Sequence, residues 1–179
     1  MDVFIRVATE ADARSVAEVL ILSWRTAYRG IISDEGLAGL SIDEREACWR
    51  DRLRGDDPNS ADWTNIVCES GGKIIGLATY RPCGDEDKDR GSVGELVAIY
   101  LLPSYWAQGL GKRMLDEVMS RFKEQSVSEV TLWGIESNRR ARRFYEIAGF
   151  KPDGLKKNEV KLGTSLVLVR YVRELRKLS

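Results

Sequence analysis

The residues best suited to chemistry lie in one short stretch, Gln108-Gly109-Leu110-Gly111-Lys112, between an apolar run that ends at Pro103 and a segment with helical periodicity. At such a junction the first helix amides lack intrahelical acceptors, the macrodipole is positive, and glycines without a Cβ let an anion reach the backbone. The turn is a phosphate cradle in outline, and its plain alternative is a tight turn without a ligand. Upstream stands Glu95, an acidic residue at the entrance of the otherwise apolar run 95–102. Absences narrow the chemistry further. The 179 residues contain no histidine, which excludes an imidazole base and a histidine-bearing zinc site. Cys48, Cys68 and Cys83 are unclustered, so neither a CxxC site nor a disulfide framework is expected, and no metal.

Periodicity supplies the elements that must position these residues. Residues 4–7 read as a strand, and Ala13, Val16, Ala17, Leu20 and Trp24 share one face of a helix running to about Tyr28. A short helical turn over 33–40 and a capping box, Ser41 to Glu44, open the next helix, through Trp49 to Leu53. Residues 66–69 and 73–80, joined across Gly71-Gly72, read as a hairpin. An acidic loop, 84–90, leads to the buried strand 95–102, and Leu110, Met114, Leu115, Val118 and Phe122 form a helical stripe after the glycine turn. Residues 130–133 are β-rich, Asn138 opens a helix closed by Gly149, and 159–162 with 165–172 read as a closing hairpin across Gly163. The order β, α, α, β, β, β, α, β, α, β, β implies a mixed sheet with helices on its faces.

One domain over residues 1–179 is expected, since 43% hydrophobic content suffices for a core and no linker or repeat interrupts the chain. Lys+Arg and Asp+Glu balance at 28 each, so no global field draws nucleic acid or an acidic membrane surface. The N-terminal stretch lacks a cationic flank with a hydrophobic core, and no apolar run has the length of a membrane span. A soluble cytoplasmic protein is expected.

Two well-known phosphate motifs fail. A P-loop needs glycine where Trp106 stands and Ser or Thr where Arg113 stands, and a dinucleotide fingerprint needs glycine at Met114. The chain instead resembles the GNAT superfamily of N-acetyltransferases, whose signature is Q/R-x-x-G-x-G/A at a strand-to-helix junction followed by N-x-x-A-x-x-F-Y-x-x-x-G-F. The second half is complete in Asn138, Ala141, Phe144, Tyr145, Gly149 and Phe150. The first half has Gly109 and Gly111, with Trp106 where Gln or Arg is usual. The resemblance is strong over residues 93–152, and element order extends it along the chain.

It implies an α/β (α+β sandwich) fold with a mixed, mostly antiparallel sheet of about seven strands, helices on both faces and a splay between strands four and five. It implies acetyl-CoA as cosubstrate, its pyrophosphate on the amides of Ala107, Gln108, Gly109, Leu110, Gly111 and Lys112. The pantetheine arm would pair along Ile99, Tyr100 and Leu101, as an added strand does, with Asn138 touching it. Tyr145 would be the acid that reprotonates the departing thiolate. Considered alone, Asn138 is equally a helix N-cap, Tyr145 a core aromatic and Lys112 a solvated first-turn residue.

Acetylating an amine requires shedding a proton from an ammonium of pKa about 10. Glu95 is the candidate base, because relatives often carry a carboxylate there; ordering the substrate is its simpler role. Other relatives place Glu where this chain has Trp133, and Glu136 is a weaker substitute. The acceptor pocket implied by the family would use Trp24, Tyr28, Tyr80 and Trp49, with Asp85, Glu86, Asp87 and Asp89 near its mouth. Aromatics beside acids suit a small cationic amine such as a polyamine, although helix core and a solvated loop explain the same residues. Two alternatives stand beside a small-molecule N-acetyltransferase: an inactive acyl-CoA-binding module, and an enzyme acting on a protein amine. The edges of the closing hairpin are the surfaces a homodimer would use.

Overall fold

Apolar, β-rich runs separated by glycine turns build one seven-stranded sheet in the computed structural model, which describes residues 2–175. The strands are β1 (Val3–Val7), β2 (Thr64–Ser70), β3 (Lys73–Pro82), β4 (Val93–Leu101), β5 (Glu129–Ile135), β6 (Lys151–Lys161) and β7 (Thr164–Glu174). Their spatial order is β1-β2-β3-β4-β5-β7-β6, antiparallel at every junction except β4–β5. Gly71 and Gly72, with φ of 59° and 76°, supply the paired left-handed conformations of a two-residue hairpin between β2 and β3.

Five helices cover the sheet: α1 (Ala13–Ala27), α2 (Asp34–Ala38), α3 (Ile42–Arg54), α4 (Leu110–Glu124) and α5 (Arg139–Ile147). The alternation along β3 divides them between faces. Gly76 and Tyr80 point at Met114 and Phe122 of α4, while Leu77 and Thr79 lie on the side of Leu20 and Trp24 of α1. Helix α3 packs on α1, and α5 lies beside α4 with Phe144 approaching Gly111. Val16, Ile66, Leu77, Met114, Leu115, Phe122 and Leu132 are among the fully buried side chains between these layers.

The parallel junction is short. β4 and β5 pair only at Val93↔Glu129, Gly94↔Val130 and Glu95↔Thr131. Beyond Glu95 the strands diverge, which is the splay expected between strands four and five. On the other side of β4, Thr79 pairs with Ala98 and Tyr80 with Leu96, so Val97 is a bulge residue without a partner on β3.

One element is longer than its pattern suggests. β6 begins at Lys151, not near Glu159, and almost every residue in it is exposed. As the outermost strand it buries neither face, so no alternation marks it, and Gly154 with a register irregularity between Pro152 and Lys156 interrupts its pairing. Among the described residues no helix is long and apolar enough to cross a membrane.

Candidate active site

The splay opens a cavity of about 550 Å³ whose walls come from β4, β5, the turn before α4, α5 and β6. Glu95 sits where the two strands part, Ile99, Tyr100 and Leu101 continue along β4, and Trp133 faces them from β5. Ala107, Gly109, Gly111 and Lys112 line one end, with Asn138 and Tyr145 close by. Gln108 and Leu110 do not line it, and the Gln108 side chain donates instead to the Ser104 carbonyl at 2.9 Å.

The turn end has the local geometry that an anion would need. Ala107 and Gly109 have φ of 59° and 79°, so the chain turns through left-handed conformations that aim successive amides the same way. The side chains of Ser33, Ser41 and Asn138 cap α2, α3 and α5, whereas α4 has Gly109 at its N-cap with no side-chain acceptor and no acid in its first turn. Its first amides are therefore uncompensated by protein. Lys112 is ion-paired with Asp116. Beside Trp106, which stands where Gln or Arg is usual, lies a cation that the sequence analysis did not single out. Trp106 turns its Nε1 onto the Leu101 carbonyl at 2.6 Å, and the Arg140 guanidinium stacks 3.6 Å from the Trp106 ring centroid. Among the described residues Arg140 has no acidic partner, and desolvation lowers its pKa, so its charge is an attraction waiting for an anion. The signal was available in the Arg139-Arg140 pair just after Asn138.

Farther in, Asn138 Oδ1 accepts the Ala141 amide at 3.1 Å, so this side chain both caps α5 and lines the cavity. The Tyr145 ring packs edge-on against Phe144 at 5.5 Å and Phe150 at 6.2 Å, and Gly134 leaves room for it beside β5. Burial, reinforced by the Tyr100 phenol, pushes the Tyr145 pKa well above its ordinary value. It is a firmly protonated phenol at neutral pH.

The Leu101 carbonyl is already shared by Trp106 and the Ser23 hydroxyl, at 3.0 Å from the latter, which leaves Ile99 and Tyr100 as the freer part of the strand. Glu95 accepts through Oε2 from Arg81 Nε at 2.8 Å and from the Gly84 amide at 3.3 Å. Among the described residues its Oε1 takes no protein hydrogen bond, and Glu95 lines the cavity. Cys83 and Thr131 back this corner, 3.3 Å apart.

Other expected residues are placed differently. Tyr28 lines the cavity, its hydroxyl 3.4 Å from that of Tyr100. Trp24 and Trp49 line a second chamber between α1, α3 and the sheet. Tyr80 lies outside both: alternation along β3 sets it on the α4 face, edge-on to Phe122 at 5.1 Å in the core. Glu136 is held by Lys156 at 2.6 Å, which lowers its pKa, and it does not line the cavity. The acidic loop is not an open mouth. Asp85 and Asp87 bind the buried guanidinium of Arg170 at 3.1 and 2.6 Å, Asp85 also accepts from Trp133, and Asp89 accepts from Ser92.

With this geometry in view, the acetyltransferase (GNAT) family profile matches residues 21–150. YuaI of Bacillus subtilis, described as an uncharacterized N-acetyltransferase, is 32% identical over 137 residues, covering 76% of this chain and 73% of its own. A spermidine N(1)-acetyltransferase of Thermoplasma acidophilum is 27% identical over 154 residues, covering 84% of this chain and 89% of its own. In fold, the chain is similar to the crystal structure of the PaiA N-acetyltransferase from Thermoplasma acidophilum in complex with coenzyme A: TM-score 0.75, 22% identity, 98% of this chain and 100% of that one. The chain belongs to the acetyltransferase (GNAT) family and is an N-acetyltransferase.

Proposed function

We propose that the protein transfers the acetyl group of acetyl-CoA to a primary amine of a small molecule by direct attack of the amine. One observation carries the reading: strand pairing stops at Glu95, so an uncapped glycine turn, a half-buried phenol and a carboxylate share one cavity. Acetyl-CoA brings a thioester, an activated acyl group whose leaving atom is sulfur. The amides from Ala107 to Lys112, with Arg140 beside them, suit its diphosphate, and Ile99 and Tyr100 offer a strand edge to its pantetheine arm.

Across the reaction an ammonium becomes an amide and loses two protons, one to the released thiol and one to solvent. Glu95, held through Oε2, presents Oε1 to the ammonium and is the acceptor for its proton. Tyr145, protonated at neutral pH, supplies a proton to sulfur. No histidine exists to activate Ser or Cys, which favours direct attack over a covalent acyl-enzyme. A polyamine acceptor draws support from the Thermoplasma spermidine N(1)-acetyltransferase, but the acidic loop that suggested it here is neutralised by Arg170.

Thiol release from acetyl-CoA over a panel of amines tests this reading, with Tyr145→Phe as the decisive variant. Loss of the proton donor is expected to lower kcat about 100-fold while calorimetric acetyl-CoA affinity is kept. Full activity in Tyr145→Phe removes the acid role, and acetyl-CoA binding without any acceptor turned over points to a binding module.

A further inference from the structure

Beyond Tyr100, on the α1 and α3 side of the sheet, lies the second chamber, of about 220 Å³. It shares Val97, Ala98, Tyr100 and Lys161 with the larger cavity, so the two spaces adjoin at the bulge of β4. Its lining has an unusual chemical bias. Arg45, Arg52 and Lys161 all face it, and no aspartate or glutamate does. Arg52 Nε stands 3.5 Å from Asp57, whereas among the described residues neither Arg45 nor Lys161 pairs with a carboxylate.

The neutral part of the wall repeats the bias. Among the described residues Trp24 Nε1 and Trp63 Nε1 are buried with no hydrogen-bond partner, and both residues line this chamber. Trp24 is only 6% exposed. Buried donors are ordinarily satisfied, so two orphan indoles around one space describe the group that belongs there: one made of acceptors. The two cations without a carboxylate partner are arranged over one ring, Lys161 4.5 Å and Arg45 5.8 Å from the Trp24 centroid, which fixes their heads without neutralising them. By contrast the larger cavity carries the acids Glu95 and Glu159. An acceptor bridging both spaces meets Glu95 and Glu159, beside Arg81 and Lys157, at one end and cations with no lining carboxylate at the other.

We infer that the chamber receives the oxyanion of an acid-bearing amine, so that the preferred acceptor is a small amino acid and not a polyamine. The inference rests on the splay cavity being the transfer site, with the amine toward Glu95 and the anionic end toward Trp24, Arg45, Trp63 and Lys161. A polyamine there would set a second ammonium against unpaired cations, a repulsive arrangement that rejects it.

The test is thiol-release kinetics with acetyl-CoA and matched primary amines, each supplied as the ω-amino acid, its ω-amino amide and the corresponding diamine. The acid is expected to exceed its amide at least tenfold in kcat/KM, the diamine to fall below both, and the preference to shrink with salt. The Arg45→Gln/Lys161→Gln double variant should bring the acid-to-amide ratio to within twofold. Because only a ratio is compared, partial misfolding does not mimic the result. A preference for amide or diamine overturns the inference, as does a ratio that survives the double variant. If no amine is acetylated, the transfer reading fails separately. The chamber is then judged by tryptophan fluorescence, since Trp24, Trp49 and Trp63 line it. Saturable quenching by 4-aminobutyrate but not by 4-aminobutanamide, abolished in the double variant, upholds the anion site, and equal or absent responses refute it.

Discussion

Gly94→Ala is the sharpest probe of how this fold carries its site. Gly94 is the residue before Glu95 and pairs with Val130 inside the short β4–β5 junction. Its backbone is not left-handed, so alanine brings no conformational strain and any penalty is steric. A Cβ placed there falls 2.3, 2.5 and 2.7 Å from Cε1, Cζ and Cδ1 of Phe122. Restoring ordinary carbon contact near 3.5 Å requires the ring to withdraw by roughly 1.2 Å. Phe122 is 1% exposed and wedged edge-on against Tyr80, so the ring has nowhere to go without moving α4. Overpacking of this kind costs about 1–3 kcal/mol, and contact with three ring atoms argues for about 3. Phe122→Leu removes the crowding Cε1 and Cζ, and alone should cost about 1–2 kcal/mol. Equilibrium urea unfolding should find the double variant more stable than the sum of the single losses by at least about 1 kcal/mol. In parallel, kcat/KM should fall in Gly94→Ala, through displacement of Glu95, and recover in the double variant. A Gly94→Ala protein within about 0.5 kcal/mol of the parent, or strict additivity, refutes the packing argument.

Two further outcomes are expected. Arg140→Ala should weaken acetyl-CoA about tenfold by calorimetry, the scale of one charge-assisted hydrogen bond, with Arg140→Lys intermediate because a lysine keeps the charge but not the planar stack on Trp106; unchanged affinity would remove Arg140 from the diphosphate site. Asp12→Asn should destabilise the fold at pH 7, because Arg6 foremost, with help from the Thr9 amide and hydroxyl, holds the Asp12 pKa down at about 2 against an ordinary 3.8. Since the folded value is the lower one, the stabilisation is full above about pH 4 and lost as pH falls through about 2. Linkage gives about 2 kcal/mol, nearer 1 after allowing for solvent around Arg6, whose side chain is 40% exposed. Urea midpoints for the parent and Asp12→Asn should converge as pH falls below 4, and a constant gap would assign the loss to the capping contact alone.

Features carried by local patterns were legible in the sequence. Apolar runs and glycine turns marked most strands, Ser41 and Asn138 announced their caps, and the glycine turn foretold a helix whose first amides have no side-chain cap. What stayed hidden depends on long-range placement. Tyr80 was expected in the pocket because the family builds its acceptor site partly around the loop between strands three and four, whereas regular alternation along β3 sets it with Gly76 on the α4 face, against Phe122. The acidic run 84–90 looked like an open mouth because its neutraliser, Arg170, lies more than 80 residues away on β7. Arg140 was overlooked because the signature looks for a cation at Trp106, while stacking brings one from another helix. The second chamber has no linear signature: its donors come from α1, α3, β6 and the segment before β2.

The splay has a mechanical meaning as well. With only three residue pairs joining β4 to β5, the seven strands are two plates, β1-β2-β3-β4 and β5-β7-β6, stitched by a short seam. Each plate is internally well bonded, and the tether from Arg170 on β7 to the loop before β4 joins them as well. A ligand arm laid along Ile99 and Tyr100 lengthens that seam on its open side. In the proposed function the cleft that admits the substrate is thus also the least-bonded line in the sheet, and the arm that fills it joins the two plates.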